Sequence, residues 1–180
     1  MSSFRRSQQN LRSHGLSLLE VVLVLALAMA AAAALLPRLL RSRILANEGT
    51  AISNVDVITL AQESYRSTYP AIGYASSLAD MALMCHRDCV PSPQHACLID
   101  CNLPAATTSA RDGYTYALAV DPSAGAHGTY VVAVSAAIPM HTGDHDFCAI
   151  EDGKVRYRTA SGQPPAQISH DLCRTWPVMP

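Results

Sequence analysis

One apolar run, at positions 16–36, limits what this chain can fold into more than any other feature of its sequence. Nineteen of its 21 residues are apolar, and the two exceptions are Ser17 and Glu20. Wound into an α-helix at about 1.5 Å per residue, the run is roughly 32 Å long, which is enough to cross a hydrocarbon core of about 30 Å. The sequence therefore predicts a single transmembrane helix over residues 16–36.

The rest of the chain has the composition of one soluble domain. Hydrophobic residues make up 49% of the 180 residues and charged residues 15%, with a net charge of −1. Without the apolar run, about 43% of the residues are apolar, which is ordinary for a globular domain. This content excludes a disordered chain, and the lack of clustered positive charge argues against a nucleic-acid-binding protein. We therefore expect no nucleic acid among its partners.

Residues 1–15 form a polar leader with three arginines and no acidic residue, as is typical of a cytoplasmic flank. The three arginines within residues 38–43, on the other side of the run, weaken this charge argument. An ordinary secretory signal, cut within residues 28–33, is the alternative. Two features count against it: the run is longer than the usual apolar core of a signal, and Glu20 is an ionisable group that is costly in a bilayer.

The junction between leader and run carries a family resemblance. The stretch Gly15-Leu16-Ser17-Leu18-Leu19-Glu20-Val21 resembles the class III leader junction of type IV pilins and type II secretion pseudopilins. The resemblance implies that a prepilin peptidase cuts after Gly15 and methylates the new amine of Leu16. It also implies an assembly role for Glu20, and Pro37 falls where many pilins have a helix-kinking proline.

The expected function is that of a non-enzymatic filament subunit. The Glu20 carboxylate would neutralise the amine of a neighbouring subunit, because identical subunits in a helical filament meet head to tail. The resemblance implies a single-pass inner-membrane protein with its head domain in the periplasm, which then joins a periplasmic or extracellular filament. The expected partners are copies of the same chain, the prepilin peptidase, the inner-membrane assembly platform and, before assembly, membrane lipid.

Beyond the run, residues 37–69 predict an amphipathic continuation of the helix. Apolar residues recur at helical spacing until Pro70, which stops the helix, while Pro37 should kink it and Gly49 weakens it. The apolar residues expected on the inner face are Leu40, Ile44, Leu45, Ile52, Val55, Ile58 and Leu60.

Residues 70–180 are expected to form the head domain, with a small antiparallel sheet over residues 113–160. Asp121–Gly125 and Asp152-Gly153 are turn signals, the second of them typical of a two-residue hairpin. The predicted strands are Tyr114–Val120, Thr129–Ala137, Phe147–Glu151 and Lys154–Thr159. The predicted fold class is therefore α+β and pilin-like, with one long N-terminal helix packed on about four strands and a proline-rich extended tail over residues 161–180.

All six cysteines lie beyond the apolar run, and an even number on an exported domain favours disulfides. Four of them form two C-x3-C pairs, each expected on one face of a helical turn, and Val90–Pro93 would fold one turn back on the other. The pairing favoured among 15 possible connectivities is Cys85–Cys101, Cys89–Cys97 and Cys148–Cys173. The segment 81–104 that holds the first two pairs is expected to be an exposed insertion.

Two polar groups allow a metal-binding alternative. The thiolates of residues 85–101, with His86 and His95 nearby, have a spacing that zinc accepts, although an oxidising compartment argues against free thiolates. A second cluster contains His141, Asp144, His145 and Asp146, for which a solvated turn is preferred to a metal loop. We therefore expect no metal and no cofactor.

No hydrolase, zinc-protease or phosphate-loop motif occurs in the sequence, and no enzymatic activity is expected. Two other functions remain open at this point. The chain could be an exported disulfide-rich binding or redox module with a conventional signal. It could also be a minor, tip-located pilin that uses segment 81–104 as a contact or adhesion surface.

Overall fold

The computed structural model describes residues 17–85, 88–121 and 128–180. Within these residues the chain divides into two units, with the boundary between Leu39 and Leu40.

A single long helix, α1, begins in the first unit and ends in the second. It spans Leu18–Thr68, 51 residues, and includes Pro37. It ends one residue before the predicted position, because Pro70 lacks the amide hydrogen that another turn requires. Two further α-helices of the described chain are short: α2, Leu78–Met81, and α3, His170–Arg174.

The part of α1 in the second unit buries one face against the sheet. The buried positions follow helical spacing and are Ile44, Ala51, Val55, Ile58, Thr59, Ala61, Gln62 and Tyr65. The prediction that Leu40, Leu45 and Leu60 lie on this face is wrong, because each side chain is more than half exposed. Leu60 follows Ile58 by two residues, which places it about 200° around the helix from the buried face.

The sheet is an antiparallel meander with strand order β1-β2-β3-β4 in the described residues. Its strands are β1, Tyr114–Asp121; β2, Thr129–Ala136; β3, His145–Ile150; and β4, Arg156–Thr159. The predicted α+β class, a long N-terminal helix packed on a four-stranded antiparallel sheet, is confirmed. Of the predicted turn after β1, residues 122–125 lie outside the described residues.

The connection between β3 and β4 is wider than the two-residue hairpin that the sequence predicts. Cys148 pairs with Arg156 at its end of the ladder, and β4 begins at Arg156 instead of Lys154. Asp152 explains the difference, because its carboxylate accepts hydrogen bonds from the Lys154 amide and the Arg156 guanidinium. Gly153 has a φ of +70°, a conformation that suits glycine.

The two faces of the sheet have different covers. The helix-facing side holds large side chains, among them Tyr114, Tyr116, Tyr130 and Phe147, in one core with α1. On the other side, four residues of β2 and β3 pack against Ile168, Cys173 and Trp176 of the C-terminal segment. The prediction of an extended tail is therefore wrong in part. The segment contains a 3-10 turn and α3, and its side chains form a second core with the outer face of the sheet.

Segment 81–104 is less exposed than expected, because its two ends belong to the main core. Met81, Ile99 and Leu103 are each at most 2% exposed, and Ala82 forms a parallel bridge with Ile99. The expected helical turns at its cysteines are wrong as well, since Cys85 and residues 88–102 are not helical. A tight reversal between Ser92 and His95, with paired backbone hydrogen bonds of 3.0 Å, folds the segment back.

Candidate functional site

The most unusual surface of the described chain is the N-terminal part of α1. Its large apolar side chains are exposed, with Leu18 at 82%, Leu19 at 78% and Met29 at 68%. An 18-residue window of α1 has a mean hydropathy of 2.6, and none of that window is buried. Among the described residues, α1 is the one helix long and apolar enough to cross a membrane. Apolar surface on this scale is unfavourable in water, so the segment requires lipid or protein around it.

Glu20 is the sole ionisable residue of the sequence between positions 16 and 36. It lies in the first turn of α1, where the Ser17 carbonyl accepts hydrogen bonds from the amides of Glu20 and Val21 at 2.9 and 3.1 Å. A carboxylate is favoured in a first turn because the unpaired amides give that end of a helix a partial positive charge. The same carboxylate is available to a positive group that approaches the start of the helix.

The two predicted processing residues, Gly15 and Leu16, lie outside the described residues. Pro37 lies within α1, which is helical on both sides of it. Because proline has no amide hydrogen, the Ala33 carbonyl lacks its usual helical donor. This is a weak point of the helix, next to the boundary between the two units at residue 39.

The six cysteines form three disulfides within the described residues, and the pairs are those that the spacing favoured. They are Cys85–Cys101, Cys89–Cys97 and Cys148–Cys173, with Cα–Cα distances of 5.4, 6.1 and 6.0 Å. With every sulfur in a disulfide, residues 85–101 present no thiolate for the zinc alternative. Disulfides persist in oxidising compartments, so the disulfides of the second unit indicate such a compartment.

The cluster at residues 141–146, expected to be a solvated turn, is a turn that Glu48 ties to α1. The Glu48 Oε1 atom accepts hydrogen bonds from the amides of Asp144 and His145, at 2.8 and 3.0 Å, and lies 3.0 Å from His145 Nδ1. Asn47 donates to the Thr142 carbonyl at 2.9 Å. The predicted turn between strands is present, but it is only partly solvated: His141 is exposed, whereas Gly143 and Asp146 are buried.

Burial raises the pKa of the Tyr114 hydroxyl beneath this loop, and the charge of Glu48 raises the pKa further. The hydroxyl therefore stays protonated and donates to the His145 carbonyl at 2.9 Å. The start of β3 is therefore held by two hydrogen bonds: the His145 carbonyl accepts one from Tyr114, and the His145 amide donates one to Glu48.

Asp146 has a different role from its neighbours in that cluster. It is fully buried on the outer face of the sheet, where it accepts hydrogen bonds from the Ala136 amide at 3.2 Å and from Arg158 at 3.3 Å. Arg158 in turn lies 4.4 Å from the centre of the Trp176 ring, a cation–π contact. These contacts hold the C-terminal segment on the sheet. In the part of the chain that the structure describes, no three His, Cys, Asp or Glu side chains converge as a metal site would require.

Sequence reasoning missed Gln62, which fixes the chain after α1. Its amide nitrogen donates to the Ala75 carbonyl at 3.0 Å, and its amide oxygen accepts from the Ala75 amide at 2.9 Å. Gln62 is fully buried, four residues after the buried Ile58. A glutamine on the buried face of an amphipathic helix was the available signal, because a buried amide requires partners.

Comparisons with known protein families, with curated proteins and with solved structures give no match.

Proposed function

We propose that this chain is a structural filament subunit of the type IV pilin or type II secretion pseudopilin class, held in the membrane by α1 before assembly. The observation that carries the proposal is the exposed apolar segment of α1 with one carboxylate, Glu20, five residues after Gly15. A helix of this kind suits lipid and suits a bundle of identical helices equally well. The disulfide-containing α+β unit is the expected head domain, placed in the periplasm.

The proposed mechanism exchanges one apolar environment for another. Subunits leave the lipid when their helices pack together, so the apolar side chains stay out of water throughout. The small side chains of residues 30–34 allow close helix approach. After cleavage behind Gly15, the amine of Leu16 would pair with Glu20 of a neighbouring subunit. Such a pair selects one register, because a subunit added out of register leaves a charge buried and unpaired.

The test is assembly of the Glu20→Gln variant in cells that supply a prepilin peptidase and an assembly platform. Glutamine keeps the size and removes the charge, so leader removal and membrane insertion should match wild type. Filament yield should fall about tenfold or more, since an unpaired buried charge costs several kcal/mol. The matched control is Asp56→Asn, which removes an exposed carboxylate elsewhere on α1 and should assemble normally. Equal filament yields from Glu20→Gln and wild type would contradict the charge-pairing mechanism.

A further inference from the structure

The end of the second unit at which α1 enters it carries exposed apolar side chains. Leu40 precedes the buried Ile44 by about one helical turn, yet its side chain is 55% exposed. The cover that the domain gives to α1 therefore ends between these two turns. Leu45 is 58% exposed, and neither leucine belongs to one of the two cores.

The loop between β2 and β3 adds two more apolar side chains to this end. It contacts α1 close to its entry, because Asn47 donates to the Thr142 carbonyl at 2.9 Å. Its Ile138 and Met140 side chains are 55% and 65% exposed. We call the exposed residues of this end the entry surface: Leu40, Arg41, Arg43 and Leu45 of α1, with Ile138 and Met140 of the loop.

The backbone of this loop is a fixed turn. The Thr142 hydroxyl accepts from the Ile138 amide at 3.0 Å, and the Thr142 amide donates to the Ile138 carbonyl at 2.9 Å. Met140 has a φ of +64°, which is unfavourable for a residue with a β-carbon. A strained turn that keeps two apolar side chains in water contributes nothing to the isolated domain, so it is suited to a contact outside the chain.

The exposed charge of the entry surface is positive. Arg41 and Arg43 are exposed, and neither has an ion-pair partner among the described residues. Two carboxylates near this end are already engaged: Glu48 by His145, and Asp112 by its arginine neighbour in the sequence. The side chain of Asp144 is half-buried. Two unpaired arginines beside apolar side chains suit a surface that is anionic and has an apolar layer beneath it.

A lipid bilayer is such a surface, and the chain keeps it within reach. Leu40 follows Leu36, the last residue of the apolar run, by four positions. Four residues span at most about 14 Å, so a bilayer that holds residues 16–36 has its hydrocarbon core within that distance of Leu40, however the two units are arranged. The headgroup layer on each side of that core is about 5–7 Å thick. Arginines with apolar neighbours match the boundary between headgroups and acyl chains.

We propose that the entry surface binds the anionic headgroup layer of the membrane that holds α1. Ile138 and Met140 would insert at the boundary with the acyl chains, and Arg41 and Arg43 would pair with lipid phosphates. The proposal rests on the membrane anchoring of α1, which is part of the proposed function, and does not depend on filament assembly. The contact would hold the second unit at the bilayer surface until the subunit leaves the lipid.

The test uses the full chain, one copy in each lipid nanodisc, with carbon-13 in its methionine methyl groups. The discs contain phosphatidylcholine alone, or equal parts of phosphatidylcholine and phosphatidylglycerol, with a trace of lipid that is paramagnetic in its headgroup or in its acyl chain. In the anionic discs, the headgroup label should broaden the Met140 methyl signal about twofold or more beyond its broadening in phosphatidylcholine, because the arginines add to binding.

Met84 is an internal control at the other end of the second unit. It belongs to segment 81–104, in which the Pro93 carbonyl accepts from Tyr65 at 2.8 Å. Tyr65 lies about 27 Å along α1 from Asn47, so the Met84 signal should be the same in both kinds of disc.

The methyl group of Met29 separates this inference from the proposed function. Met29 lies in the apolar run, so the acyl-chain label should broaden its signal if α1 is anchored in the bilayer. If Met29 is broadened and the headgroup label leaves Met140 unchanged, this inference is overturned while the anchoring stands. If Met29 is not broadened, the anchoring fails and this inference fails with it. A Met140 signal that changes only in discs holding two chains would assign the surface to a second copy and refute the proposal.

A matched pair of charge variants tests the arginines. Arg41→Gln combined with Arg43→Gln should return the Met140 broadening in anionic discs to its value in phosphatidylcholine, because each arginine near an anionic surface strengthens binding about fivefold. Lys154→Gln combined with Arg174→Gln removes the same charge at exposed positions elsewhere and should leave the broadening unchanged. Equal effects of the two double variants would contradict the role given to the arginines.

A second pair tests the apolar loop. Ile138→Ser should reduce the Met140 broadening about twofold or more, because an apolar side chain no longer enters the bilayer boundary. Ile72→Ser changes an isoleucine that is also about half exposed and should have no effect. Both positions are on the surface, so both variants should fold. Undiminished broadening in Ile138→Ser would show that the loop does not insert.

Discussion

At the scale of single residues, Gly143 and Gly49 differ in the space that surrounds them. A β-carbon at Gly143 would overlap the hydroxyl of Tyr114, which is held in place by its hydrogen bond to the His145 carbonyl. A β-carbon at Gly49, in the middle of α1, would meet no atom within 4 Å. The first position therefore requires glycine for packing, and the second does not within this chain.

This contrast gives a paired prediction. Gly143→Ala should lower the free energy of unfolding by roughly 1–3 kcal/mol, because the extra methyl overpacks a buried site. Gly49→Ala should raise it by about 1 kcal/mol, because alanine favours the helix. Urea unfolding followed by near-ultraviolet circular dichroism measures both. Equal effects of the two substitutions would contradict the packing described around Tyr114.

A second residue-scale prediction concerns Asp152. Its hydrogen bond from Arg156 holds the pKa of the carboxyl below its ordinary value. The stabilisation is fully present above the unfolded pKa of about 3.9 and is lost as the pH falls through the lower folded pKa. Asp152→Asn should therefore be less stable than wild type at neutral pH, and the difference should narrow below about pH 4.

The measurement is urea unfolding of both proteins at neutral and acidic pH. Asp56→Asn, at an exposed position of α1, is the control and should show no such narrowing. A difference between wild type and Asp152→Asn that stays constant with pH would show that the Arg156 contact contributes nothing.

The same scale shows why some site residues escape prediction. The two C-x3-C pairs and the reversal expected at Val90–Pro93 favoured the observed nested bonds, although the helical turns expected at the cysteines do not form. Glu48 and His145 are 97 positions apart, so no local pattern relates them. His145 and Asp146 are adjacent members of one polar cluster, and the sequence gives no sign that their environments differ. Strand alternation nevertheless directs their side chains to opposite faces of the sheet, and Asp146 is fully buried.

At the scale of elements, the disulfides differ in what they hold. Cys148–Cys173 closes a separation of 25 residues and joins β3 to α3 within the second core. Cys89–Cys97 closes a separation of 8 residues within segment 81–104. Loop length alone makes the longer bridge about 1 kcal/mol more stabilising, and its two cysteines are also fully buried.

Replacing Cys148 and Cys173 together by alanine should therefore destabilise the domain more than replacing Cys89 and Cys97. Arg174, in the last turn of α3, is already exposed, and the first change should let this turn unfold so that trypsin cleaves there. Unfolding curves and the time course of cleavage after Arg174 measure the two effects. The account of the second core fails if the shorter bridge costs as much as the longer one, or if cleavage is unchanged.

Elements with a strong local pattern were predictable, and those defined by distant contacts were not. Helical spacing before Pro70 and the β-branched segments predicted α1 and all four strands. The Cys148–Cys173 pair and Trp176 predicted that the tail is held on a strand, and it is. Its 3-10 turn, α3 and the burial of Ile168 escaped prediction, because the proline-rich segment has no periodicity. The burial of Ile99 and Leu103 was not predicted either, because the residues they pack against lie elsewhere in the chain.

At the scale of the whole molecule, the average composition describes neither unit. The first contains an apolar helix segment whose side chains are exposed, and the second has two covered cores and three disulfides in its described residues. A membrane-compatible helix joined to a domain with the chemistry of an oxidising compartment is what an exported, membrane-anchored subunit requires. The junction at Gly15 is what gives this arrangement its proposed role in a filament.

The most direct test of that role is the N-terminus of the mature protein. The chain would be purified from membranes of cells that contain a prepilin peptidase, and its N-terminal residue identified by mass spectrometry. Our account predicts a chain that begins with N-methylated Leu16 and that keeps its leader when the peptidase is absent. A mature chain that begins near Ala31, or one that still carries Met1 in the presence of the peptidase, would contradict it.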